Sequence, residues 1–72
     1  MKVAAIDIGT NSTRLLIASI DESGAMEEIA RLTTITRLGQ GVSDASRLQD
    51  DAINRTVDVL SKYSLLAHDY HV

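Results

Sequence analysis

A short segment near the start of the chain carries residue types that can bind phosphate. Asp7 lies near the end of an apolar run, and Gly9, Thr10, Asn11 and Ser12 follow it. Backbone N–H groups and short hydroxyls in a tight turn can surround phosphate oxygens, and a nearby carboxylate can hold a metal ion or its water. By spacing alone, the same residues also fit a β-hairpin with a polar turn and no ligand.

The elements that must position this segment follow from the hydrophobic pattern. Val3–Ile8 is nearly all apolar, which predicts a strand buried on both faces and central in a sheet. Thr13–Ile20 is apolar again, so Gly9–Ser12 is predicted to be a hairpin turn. Asp21–Gly24 is a second turn signal, and the β-branched residues in Glu28–Leu38 favour a third strand.

The third predicted strand has one apolar and one polar face, and a loop follows it. Alternation places Ala30, Leu32 and Leu38 on one face and Arg31, Thr33 and Arg37 on the other. Ile29 and Ile35 break this alternation. The two glycines and the absence of periodicity in Gly39–Asp44 predict a loop that leaves the sheet.

A helix is predicted over Asp50–Leu66. Its apolar stripe centres on Ile53, Val57 and Leu60 and is widened by Ala52, Thr56, Val59 and Tyr63. Asp50 and Asp51 suit the N-terminal end of the helix dipole, so we interpret them as capping residues rather than as chemistry. The whole chain therefore reads as β-β-β-α.

Composition limits the classes of function. The chain has 72 residues, 44% of them hydrophobic, which suits one small domain. Its net charge of -3 disfavours binding to nucleic acid polymers or anionic membranes. It has no cysteine and no apolar run long enough to span a bilayer, so we expect a cytoplasmic protein.

A longer motif connects the turn to a known family. Ala5–Ile17 resembles the first phosphate motif of the actin-like ATPase superfamily, which includes sugar kinases and heat-shock chaperones. Within it, Asn11–Leu15 is similar to the exopolyphosphatase and guanosine pentaphosphate phosphohydrolase family, whereas sugar kinases usually carry a Thr-Thr or Thr-Gln turn followed by Lys. Ile35–Val42 and Leu48–Tyr63 are similar to that family's loop and first helix.

The resemblance implies an α/β fold. Residues 1–72 would form the β-β-β-α beginning of an actin-like, ribonuclease H-like ATPase half-domain with an incomplete sheet. Family members are several times longer and carry a catalytic glutamate and a second, glycine-rich phosphate loop beyond this region. The resemblance therefore implies that no catalytic residue lies in this chain and that the 72 residues alone are inactive.

The resemblance also assigns roles at matching positions. Asp7 would contact a divalent metal, magnesium, or orient its water, while Gly9, Thr10, Asn11 and Ser12 would form the phosphate turn.

Arg14 and Arg37 are the cations available to that turn. A guanidinium fork suits phosphate oxygens. Arg14 has an alternative partner in an acid on a neighbouring strand, and Arg37 has an alternative place on a solvated strand face beside the loop.

The implied substrates are inorganic polyphosphate and guanosine pentaphosphate, and the sequence does not choose between them. Two alternatives stay open: a sugar-kinase-like phosphotransferase, and a non-catalytic, self-associating fragment. In the family the first strand also pairs with a fourth strand that this chain lacks. We therefore expect a bare strand edge and a homo-oligomer.

Overall fold

Three antiparallel strands and one long helix form the part of the chain that the structure, a computed structural model, describes: residues 1–42 and 47–72. The strands are β1 (Lys2–Ile8), β2 (Ser12–Ile20) and β3 (Met26–Ile35), and the helix is α1 (Asp50–Asp69). This confirms the predicted β-β-β-α order. Of the predicted loop, Ser43 and Asp44 lie outside the described residues.

The sheet has the order β1-β2-β3, so β2 is the central strand. β1 pairs with β2 from Lys2↔Ser19 to Ile8↔Thr13, and its only half-buried residue is Val3. The prediction that β1 is central and buried on both faces is therefore wrong for this chain. The physical reason is that β1 has one neighbour in the described sheet and α1 packs over β2 instead.

The turn between β2 and β3 is organised by Asp21. Its carboxylate accepts hydrogen bonds from the Ser23 hydroxyl at 2.6 Å, the Ser23 N–H at 2.9 Å and the Ala25 N–H at 3.0 Å. These bonds, led by the Ser23 hydroxyl, lower the pKa of Asp21. Gly24 completes the turn at φ 86°, a conformation that favours glycine.

The core lies where α1 crosses β2. Leu15 and Ile17 are fully buried there, and the Tyr63 ring packs against them. Ala30, Val59, Leu66 and Tyr70 add partly buried apolar surface around this cluster.

The face of α1 that meets the sheet differs from the predicted one. Ala52, Thr56 and Tyr63 are the buried residues, whereas Ile53 and Val57 are 37% and 51% exposed. The stripe is therefore centred on the residues predicted to widen it. In the described part of the chain no helix is long and apolar enough to cross a membrane.

The third strand ends earlier than predicted. It stops at Ile35, so Leu38 is not on its apolar face but in the segment that follows. Ala30 and Thr34 are half-buried towards the helix, while Leu32 on the same face is 40% exposed. A single helix is too narrow to cover all three strands.

Tyr63 joins the helix to both covered strands. Its hydroxyl donates to the Thr13 carbonyl at 3.0 Å, so the 2.6 Å contact with Thr34 must use the Thr34 hydroxyl as donor. Both bonds lie in or at the edge of the core.

We expect Tyr63→Phe to lower the free energy of unfolding by about 1–3 kcal/mol, because the Thr13 carbonyl loses its buried donor. Urea unfolding of the wild type and variant measures the change. Tyr70→Phe is the matched control, since Tyr70 packs against the same cluster. Equal stability of the Tyr63 variant and the wild type would contradict the assigned role.

Candidate functional site

The turn between β1 and β2 is a tight hairpin. The Gly9 N–H donates to the Ser12 carbonyl at 2.8 Å. A Cβ atom at position 9 would lie 3.2 Å from that carbonyl oxygen, so a larger residue would need the carbonyl to shift by a few tenths of an ångström. Glycine fits this close approach of the backbone without any shift.

The tip of this turn is bound to the segment after β3. The Gly39 N–H donates to the Thr10 carbonyl at 2.9 Å. The Asn11 carbonyl accepts from the N–H groups of Thr36 at 3.1 Å and Arg37 at 3.0 Å. Among residues 1–42 and 47–72, three backbone hydrogen bonds thus hold the turn to this segment, and no turn side chain takes part in them.

These bonds orient the amides of the turn. The carbonyl and the N–H of a trans peptide point in opposite directions. Because the Thr10 and Asn11 carbonyls face the segment after β3, the N–H groups of Asn11 and Ser12 are directed away from it. Within the described residues the Asn11 N–H has no backbone acceptor. The arrangement can offer backbone N–H groups to an anion.

An open cleft of about 870 Å³ lies between the turn and the segment after β3. From the turn it is lined by Gly9, Thr10 and Asn11, and from the other side by Arg37 and Gln40. Apolar side chains complete the wall, namely Ile8, Ile35, Leu38, Val42 and Leu48. Ser12 is half-buried and does not line this cleft.

Arg37 supplies the positive charge of the cleft. Its side chain is exposed, and its backbone adopts φ 51°, in the left-handed region. This conformation is uncommon for a residue with a Cβ and persists only where neighbouring contacts impose it.

A buried polar layer supports the turn from below. The Thr13 and Thr36 hydroxyls are 2.9 Å apart, and both residues are almost fully buried. The Thr13 carbonyl also accepts the Tyr63 hydroxyl. The start of β2, the residue after β3 and the helix are therefore connected directly beneath the candidate site.

Asp7 and Arg14 lie on a different face. They are cross-strand partners in the β1–β2 register, which places them on the sheet face opposite the helix. A groove of about 310 Å³ there is also lined by Arg31 and Thr33. Among the described residues the only ion pair is between Arg31 and Glu28, so Arg14 is not paired with Asp7 within 4.0 Å.

The donor set suits a cation shared with a ligand. The described residues contain no cluster of three metal-ligating side chains. Asp7 offers one exposed carboxylate, and Mg²⁺ commonly uses one or two carboxylates together with substrate phosphates and water. The described residues therefore offer a magnesium ion the one carboxylate of Asp7 and no preformed cage.

Sequence reasoning missed Arg55 and Gln40. Arg55 on α1 donates to the Thr36 carbonyl at 3.0 Å, to the Gln40 amide oxygen at 2.6 Å and to the Arg37 carbonyl at 3.3 Å. The sequence feature that could have identified Arg55 is its position beside Ala52 and Thr56, on the helix face that packs on the sheet.

Comparison with known proteins matches most of the chain to one family. The profile of the Ppx/GppA phosphatase family matches residues 16–72. Exopolyphosphatase 2 of Mycobacterium tuberculosis is 45% identical over 97% of this chain. The chain spans only 23% of the length of that relative.

Solved structures agree in fold. A crystal structure of the Aquifex aeolicus Ppx/GppA phosphatase, the type II variant, matches 100% of the chain with a TM-score of 0.93 and 43% identity. An exopolyphosphatase from Cytophaga hutchinsonii matches with a TM-score of 0.91 and 25% identity. The chain covers 24% and 23% of these structures, respectively. The three strands and helix match the N-terminal region of an actin-like ATPase fold, which confirms the expected fold class.

Proposed function

Since the chain belongs to the Ppx/GppA phosphatase family, we propose that it is the N-terminal phosphate-turn segment of a longer phosphoanhydride hydrolase. The full-length protein removes terminal phosphate from inorganic polyphosphate or the 5′ phosphate from guanosine pentaphosphate. The observation that carries this proposal is the way the β1–β2 turn is anchored. The Thr10 and Asn11 carbonyls accept backbone hydrogen bonds from the segment after β3, while turn amides and exposed polar side chains stay available for a phosphate.

In this proposal the chain contributes electrostatic stabilisation. Gly9, Thr10 and Asn11 contact phosphate oxygens in the cleft, and Arg37 adds a permanent positive charge beside them; Ser12, predicted to share this role, does not line the cleft. Arg14, predicted to share this role, lines a separate groove on the sheet face opposite the helix and is not among the residues that line the cleft. A phosphoryl transition state spreads negative charge over its oxygens, so prearranged donors lower its energy.

Asp7 is the proposed metal ligand of this chain. Its carboxylate would hold a divalent cation, magnesium, which when bound supplies positive charge at the phosphate oxygens. The carboxylate that positions the attacking water is proposed to lie outside the 72 residues, as is the opposing phosphate loop.

Three further features complete the proposal. The net charge of -3 disfavours a nucleic acid polymer or a membrane surface as a partner, so the proposed small anionic substrates are bound by local geometry. The absence of cysteine is consistent with a cytoplasmic protein. The unpaired edge of β1 gives the isolated chain a means of self-association.

Phosphate release by the purified full-length protein tests the proposed activity. We expect magnesium-dependent release from polyphosphate, from guanosine pentaphosphate or from both, and no transfer of phosphate from ATP to a sugar. The isolated 72-residue chain is the inactive control, because it lacks the proposed water-positioning carboxylate. A positioned base alone contributes about 10²- to 10⁴-fold to the rate. ATP-dependent sugar phosphorylation would replace the proposal with the kinase alternative.

In the full-length protein, Asp7→Ala and Asn11→Ala should each lower turnover about 10²-fold while changing the unfolding midpoint little, because both side chains are exposed at the site. Steady-state kinetics and thermal melting of the same samples separate the two effects. Asp58→Ala is the matched control, an exposed acid on α1. Earlier melting with unchanged turnover would show that Asp7 is only a structural acid of the turn.

We expect the isolated chain to self-associate through β1. Val3–Ile8 carries no proline or lysine, and Ile6 and Ile8 are 43% and 48% exposed beside an unpaired edge. The radius of gyration is 14.7 Å, whereas a compact domain of this length has about 11 Å, so the chain does not enclose its own apolar surface.

Light scattering coupled to gel filtration at micromolar concentration measures this association. Ile6→Lys should shift the chain towards monomer, because a charge on the strand blocks edge pairing. Leu65→Lys, at a 69% exposed helix position, should not. A folded, monodisperse 7.8 kDa wild-type monomer would rule the association out.

A further inference from the structure

The guanidinium of Arg55 reaches three acceptors on one short segment. From its place on α1 it donates to the carbonyls of Thr36 and Arg37 and to the side chain of Gln40. The residue is half-buried, and the Arg55–Gln40 contact of 2.6 Å is the shortest of the three. The planar fork of arginine suits several acceptors at once.

Two of these acceptors flank the strained residue of the site. The Thr36 carbonyl belongs to the peptide before Arg37, and the Arg37 carbonyl belongs to the peptide after it. Arg55 therefore holds both peptides around the φ of 51°. A left-handed residue with a Cβ requires such support from its surroundings.

The same segment anchors the candidate phosphate turn. The N–H groups of Thr36 and Arg37 donate to the Asn11 carbonyl, and the Gly39 N–H donates to the Thr10 carbonyl. The chain of contacts is therefore short: α1 holds the segment, and the segment holds the turn.

We propose that Arg55 is a positioning residue for phosphate binding. It keeps Arg37 in its left-handed conformation, with the side chain lining the cleft, and keeps the Thr10 and Asn11 carbonyls anchored to the segment. The inference rests on the proposed phosphate-binding function of the turn. Arg55 itself does not contact the substrate in this proposal.

The test compares Arg55→Ala with a matched loss of charge in the full-length protein. Lys62→Ala removes one exposed positive charge from the same helix. Using polyphosphate and guanosine pentaphosphate as substrates, we expect Arg55→Ala to lower kcat/KM about tenfold, mainly through a higher KM, because small displacements of binding groups are costly. Arg55→Lys should recover only part of the loss, and Lys62→Ala should match the wild type.

Hydrogen exchange supplies a second readout that does not depend on activity. We expect faster exchange of the Thr36, Arg37 and Gly39 amides in Arg55→Ala, and wild-type exchange in Lys62→Ala. If Arg55→Ala fails to fold, Gln40→Ala replaces it in the exchange measurement alone, because Gln40 also lines the cleft; loss of this one acceptor should speed exchange of the same amides about two- to threefold.

Two results would overturn the proposal: unchanged kcat/KM in a folded Arg55 variant, or unchanged exchange at these three amides. Lower stability with wild-type kcat/KM would assign Arg55 a structural role only. If the wild-type protein releases phosphate from neither substrate, the proposed function fails, while the exchange data still decide whether Arg55 holds the segment.

Discussion

The hydroxyl of Tyr63 is the contact on which the arrangement of this chain depends. It donates to the main chain of β2 at Thr13 and accepts from Thr34 on β3, while its ring fills the core. The Tyr63 side chain therefore fixes the position of α1 relative to β2 and β3. Arg55 lies eight residues earlier, about 12 Å along the helix axis, which places it opposite the segment after β3.

Support for the candidate site passes mainly through the backbone. The turn is held by its carbonyls, and the segment that holds it is in turn fixed by Arg55 and by the buried Thr13–Thr36 hydroxyl pair. No turn side chain takes part in these bonds among the described residues, so the Thr10 and Asn11 side chains stay available for the phosphate binding proposed above. Such an anchored backbone suits electrostatic catalysis, since prearranged donors do not have to reorganise.

The apolar surface of the chain is only partly used. α1 covers β2, while large side chains such as Ile8 on β1 and Ile35 on β3 are 48% and 65% exposed. The chain spans about a quarter of the solved structures that it matches. Both facts fit the proposal that this chain is one segment of a longer protein.

Local sequence patterns determined much of this protein. The order of strands, turns and helix and the start of α1 at Asp50 follow from composition and periodicity, and so does the hairpin turn after β1, although Ser12, predicted as a turn residue, is the first residue of β2. The family motif added the actin-like fold, because its residues are contiguous in sequence. The roles of Asp7, Arg14 and the turn residues stay predictions.

Only the tertiary structure decided which surfaces meet. α1 has two adjacent apolar stripes, and periodicity alone does not say that the one with Ala52 and Tyr63 faces the sheet while Ile53 is left exposed. An apolar strand such as β1 indicates burial but not which neighbour provides it. Arg55 was not foreseen because its acceptors lie 15 to 19 residues away in sequence, and such contacts exist only once α1 has packed on β2.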